Sequence, residues 1–168
     1  MKRGSKRGQI NLSFGMIFSI ILIVVFIVFA FYAIGKFLDI QKAAKAGQFI
    51  SSLEGDIDKM WRSSSGSQQV EYSLPSSVDY VCFADFASEK RGAKQEFYNN
   101  LRLAHFEDEN MFFYPVGSAA AVDSKSIDNI DLLEITSREN PYCIPNIDGK
   151  IKLTLKKGLD ESLVTITR

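Results

Sequence analysis

Apolar residues run almost unbroken from Phe14 to Ile34, and no formal charge falls between Gln9 and Gly35. As a helix those roughly 21 residues reach about 32 Å at ~1.5 Å per residue, a match to the ~30 Å hydrocarbon core of a bilayer. The pattern then changes. Ile50, Leu53, Ile57 and Met60 recur at intervals of three and four, with Trp61 beside the last, while Glu54, Asp56, Asp58 and Lys59 fall largely off that stripe. This periodicity predicts an amphipathic helix whose Ile50–Trp61 stripe packs on a folded domain. Helix-favouring Gln41–Ala46 joins the two stretches, so one helix over residues 10–62 is the simplest expectation.

Beyond the Ser63–Ser67 cluster, which predicts a hinge over 63–69, the apolar period shortens to two. Val70, Tyr72 and Leu74 alternate with polar residues before Pro75. Val78, Tyr80 and Cys82 share one strand face, with Val81 and Phe83 on the other, so this strand is expected to be central. Met111–Tyr114 reads as a second buried strand ended by Pro115. At the C-terminus Ile151, Leu153 and Leu155 alternate with Lys150, Lys152, Thr154 and Lys156, and the alternation resumes at Val164 and Ile166 after a turn at Lys157–Glu161. That is a β-hairpin with one wet, basic face, fed by an Asp148–Gly149 turn. Ser88–His105 reads as one short helix, with Phe97, Leu101 and Ala104 on one side. Residues 117–140 fit strand or helix equally. The expected fold is α+β: a long N-terminal transmembrane and stalk helix, then a small antiparallel β-sheet head with one short helix. The boundaries are a basic tail or cleaved leader at 1–8, a transmembrane helix at 9–35, a stalk at 36–62, the hinge, and an extracytoplasmic head at 70–168.

Charge adds a direction to this picture. Residues 1–47 hold seven basic side chains, four of them Lys2, Arg3, Lys6 and Arg7, against Asp39 alone. The chain has 20 of each sign, so residues 48–168 hold 13 basic and 19 acidic side chains. The basic tail favours a cytoplasmic N-terminus with the head exported, in a single pass of the cell membrane. An acidic head excludes nucleic acid as a partner, since phosphate neutralisation needs clustered Lys and Arg.

Three readings compete for the first residues. Ala33-Ile34-Gly35 offers a small-x-small site of the kind that ends a removable secretory signal, although the apolar stretch is long for one. A plain single-pass anchor is the second. The third begins at Arg7-Gly8-Gln9, a basic residue, Gly and Gln directly ahead of the apolar run. This resembles the class III signal peptide of archaeal type IV pilin-like proteins, archaellins and adhesion pilins included. The resemblance implies cleavage between Gly8 and Gln9 by a prepilin-type peptidase, with the apolar helix kept as an assembly surface for like subunits. Gln9 and Phe14 match the family pattern; Asn11 stands where Ser is usual, and Ser13 where Glu is usual. A neutral Ser13 cannot pair with a neighbour's α-amino group, so this departure fits a minor or initiating subunit, or a protein that borrows only the signal.

Cys82 and Cys143 both fall in the head. An even pair in an oxidising compartment reads as a disulfide closing a loop of about 62 residues, worth roughly 4 kcal/mol in the chain-entropy model; two buried free thiols are the other reading. Two isolated Cys and a single His supply no zinc set, so no metal or cofactor is expected. His105-Phe106-Glu107-Asp108-Glu109 places a His among acids, and Asp123, Asp128 and Asp131 offer oxygen ligands without the spacing of a calcium loop. Both read more simply as solvated surface, as does the run Glu89–Lys94, taken as a helix face. No Gly-x-Ser-x-Gly, phosphate loop or paired His occurs, and no enzymatic activity is expected. The sequence reads as a membrane-anchored extracytoplasmic structural protein. Its alternative is a monomeric anchored domain that binds a ligand or an envelope partner.

Overall fold

A computed structural model describes residues 14–104, 106, 108–120 and 122–168. The chain is α+β. Helix α1 covers Phe14–Arg62, and its residues belong to two compact units, one ending at Leu38 and the other, the head, running from Asp39 to Arg168.

In the head, strands β1 (Gly66–Ser73), β2 (Tyr80–Phe83), helix α2 (Phe97–Leu103), strands β3 (Met111–Tyr114) and β4 (Ser124–Lys125), helix α3 (Leu132–Ile135), and strands β5 (Tyr142–Pro145), β6 (Lys150–Lys157) and β7 (Thr165–Thr167) follow in order. They make two antiparallel sheets rather than one, ordered β1-β6-β7 and β4-β3-β2-β5. The alternation read at the C-terminus emerges as β6 and β7, and β2 is interior to its sheet. Ile151, Leu153 and Leu155 point inward, while Lys150, Lys152 and Lys156 stay in water.

The α1 residues of the head supply Ala46, Phe49, Ile50, Leu53, Ile57 and Met60 to one apolar core. They meet Val70, the inward row of β6, and Val81, Phe83, Phe113 and Ile144 of the second sheet. The phenyl ring of Phe49 stands edge-on to Tyr72 at 5.4 Å and to Phe113 at 5.8 Å. Burying each such large side chain contributes about 2–3 kcal/mol. The other face of the second sheet carries a smaller core, Cys82, Phe112 and Cys143 under Phe97 and Leu101 of α2. Phe97 stacks on Tyr114 with centroids 3.8 Å apart. Two covers, one per face, are why β2 and β3 are apolar on both sides.

Four expectations are corrected here. The stripe on α1 ends at Met60 and begins a turn earlier, at Ala46 and Phe49; Trp61, about 100° further round the helix, remains 39% exposed. The hinge over 63–69 is shorter, because β1 already pairs at Gly66, opposite Lys157. Lys157 reaches back and donates to the carbonyls of Trp61 and Ser63, closing the α1 C-terminus. The helix read over Ser88–His105 forms only at Phe97–Leu103. Arg91 instead exchanges backbone hydrogen bonds with Asn140, at 2.9 and 3.0 Å, and Gly92 sits at φ +82°, so the run Glu89–Lys94 is not a helix face. The head has a second short helix, α3, inside the stretch left open, where Asp131 accepts the Glu134 N–H at 2.9 Å as its cap.

Candidate functional site

Two features of the described residues carry functional chemistry. The first is the apolar part of α1. Every residue from Phe14 to Ile40 is exposed, including Phe26, Phe29 and Phe31 at 64–73%. Backbone polarity is absorbed within the helix itself, and the Ser19 hydroxyl returns to the Gly15 carbonyl at 2.9 Å. A helix that is apolar all round and uncovered matches lipid or other apolar helices and nothing aqueous. By length and composition it is able to cross a membrane.

The second is the head's staple. Cys82 on β2 and Cys143 on β5 are direct cross-strand partners, joined by a disulfide across 61 residues of sequence. Both are buried on the α2 side of their sheet. The thiols are thus neither free nor reactive.

On the wet face of the β1-β6-β7 sheet, Glu71 lies between Lys150 at 2.6 Å and Lys152 at 3.2 Å. Hydrogen bonds from the two ammonium groups hold its carboxyl below the usual range, and Glu71 in turn raises Lys150. These groups face solvent, where such pairs organise more than they stabilise. At the edge of this face a groove of about 370 Å³ runs past Ile144, Pro145, Ile147, Lys150, Lys152 and Arg168. It has an apolar floor and a charged rim, on which Asp148 joins the three cations. Its cations are already committed, two to Glu71 and Arg168 to Glu139 at 2.9 Å, so it offers no free set for an anion.

Between α1 and β1, Tyr72 donates to Asp56 at 2.8 Å and Lys59 donates to the other carboxylate oxygen at 2.9 Å. Burial works against ionisation of Asp56, but the two hydrogen bonds and the Lys59 charge prevail and keep its carboxyl below the usual range. Burial, then the Asp56 hydrogen bond, pushes the Tyr72 phenol well up. This ties helix to strand.

Gly8 and Gln9, where the sequence reading expects processing, lie outside the described residues, as do His105 and Glu107. Asp123, Asp128 and Asp131 do not converge. Asp123 accepts the Gly117 N–H at 2.9 Å, Asp131 caps α3 and Asp128 faces water. No group of three acidic, His or Cys side chains able to hold a metal occurs among the described residues. Sequence reasoning missed the backbone edge of β1, whose signal is geometric: half of that strand falls in Ser/Gly-rich residues that read as hinge. No family model, characterised protein or solved structure matches the chain.

Proposed function

We propose that this protein is a membrane-anchored extracytoplasmic structural subunit. The apolar part of α1 crosses the bilayer, the basic tail stays in the cytoplasm, and the stapled head is exported. One observation carries the reading: an apolar helix surface from Phe14 to Ile34, every residue of which is exposed. In water that surface would drive association or precipitation; in lipid or among like helices it is at rest. The Cys82–Cys143 disulfide supports export, because such staples persist in oxidising compartments.

Within that reading, Arg7-Gly8-Gln9 ahead of the apolar run supports maturation between Gly8 and Gln9 by a prepilin-type peptidase. The helix then serves as a packing surface for like subunits in a pilin-like assembly, with this chain a minor member. The intact mass of protein extracted from its native membrane tests this directly. A chain beginning at Gln9 is expected. One that keeps Lys2–Gly8 reduces the proposal to a single anchored domain, and one that begins at Lys36 ends both.

A further inference from the structure

Sheets expose two edges each, and an unpaired edge is a template for another strand. Three of the four edges in this head are blunted. Strand β4 is two residues long. Strand β7 is three residues long, and the adjoining Val164 is bonded on its open side by Asn129 and Asp131. Strand β5 turns Cys143 and Pro145 outward. Pro145 has no N–H to offer, and the Cys143 carbonyl already accepts from Arg168.

Strand β1 is different. It pairs with β6 over eight residues in unbroken register, from Gly66–Lys157 to Ser73–Lys150. The register continues to Leu74, whose N–H donates to the Gly149 carbonyl at 2.8 Å. Hydrogen-bonded pairs alternate along an antiparallel ladder, so Gly66, Gln68, Val70 and Tyr72 bond inward to β6. Ser67, Gln69, Glu71 and Ser73 turn their N–H and C=O groups outward. All four are exposed, and none of those backbone groups has a partner among the described residues. The edge carries no Pro, no Lys, no Arg and no bulge. Its one charge, Glu71, is neutralised within the head by Lys150 and Lys152.

We propose that the outer edge of β1 is a strand-addition site that takes an extended segment of a different polypeptide as the fourth strand of the β1-β6-β7 sheet. A row of donors and acceptors repeating every second residue is the chemistry of an extended backbone and of no other ligand class. The choice of a different polypeptide over a second copy rests on the anchored reading. In the head α1 and β1 run antiparallel: Gly66 lies under Met60, while Tyr72 meets Asp56 and Phe49. Two copies joined antiparallel through β1 would hold their Asp39 ends, where each chain leaves for its apolar helix, at opposite ends of the joined sheet. Copies entering one bilayer from one side cannot do that, which rules out an antiparallel pair of β1 edges and leaves only the less stable parallel pair.

Amide hydrogen exchange, pulsed on protein in its native membranes and on the same protein purified in detergent, tests the site. Ser67, Gln69, Glu71 and Ser73 are expected to exchange about tenfold or more slowly in the membranes than in detergent. The inward amides of Gln68, Val70 and Tyr72 should be slow in both. Gln69→Pro deletes an outward donor and spares the ladder to β6, so it should abolish the slowing at Ser67 and Glu71 while Val70 stays protected. Gln69→Ala should keep the slowing. Equal rates in the two preparations, or slowing that survives Gln69→Pro, overturn the proposal. Slowing that arises in purified protein together with a doubled mass makes the occupant a second copy and also overturns it. Alkaline extraction of the same membranes reads anchoring separately, so failure of one idea is told from failure of the other.

Discussion

Tyr72 shows how one side chain links helix, strand and proton. Its ring packs on Phe49 and its hydroxyl serves Asp56. Burial first, and then that hydrogen bond, raises the phenol above its ordinary value of 10.0. A group whose folded-state value is raised contributes stability that is complete below the unfolded value and lost as pH climbs toward the folded one. Asp56 works in the opposite sense: its lowered value gives stability that is complete above its ordinary 3.8 and fades as pH falls through the folded value. Denaturant titrations across pH should therefore show a loss above pH ~10 that Tyr72→Phe reduces, the rest coming from Tyr142, whose phenol burial also raises. The same substitution should cost about 1.5 kcal/mol at neutral pH, the low end for a hydrogen bond to a charged group. Gly92 makes a second residue-scale case. At φ +82° a Cβ would stand 2.8 Å from Glu139 Cγ, so Gly92→Ala should lower stability by about 1 kcal/mol or more in thermal melts.

At the scale of elements, the pairing of β2 with β5 fixes the second sheet, and its disulfide should be worth roughly 4 kcal/mol. Replacing Cys82 and Cys143 together by Ala should lower the melting temperature by ten degrees or more, about what that energy implies for a head of this size. Alkylation of unfolded, unreduced protein should leave both sulfurs unmodified. Elements with a clean period were legible from sequence alone. The buried row Ile50–Met60, the alternation of β6 and the double-sided apolarity of β2 each state their surroundings directly. Strand β5 was not legible, because the four residues Tyr142–Pro145 that follow Pro141 are too short to show a period. The segment before α2 misled for another reason. Its composition suits a helix, but Arg91 spends its N–H and C=O on Asn140, a partner 49 positions away that no local pattern announces. The β1 edge is invisible for the same reason, since backbone groups leave no trace in side-chain identity.

At the scale of the whole molecule, the membrane reading makes the centre of the apolar helix intolerant of charge. Ile27→Lys should raise the cost of insertion by about 2.5–3.5 kcal/mol, read as protein released by alkaline extraction that retains the wild-type chain. A polar residue on the wet face of β6, such as Thr154→Ser, should leave that extraction unchanged. The disulfide carries a further consequence under tension. Pull on the apolar helix at one end and Arg168 at the other, and the backbone between Cys82 and Cys143 is bypassed by a covalent shortcut. Those 61 residues hold about 210 Å of slack at ~3.5 Å each. An optical trap should record an unfolding contour shorter by about that length when the bond is oxidised. A head tethered this way yields to force only by the residues outside the loop, and full extension waits for a reductant.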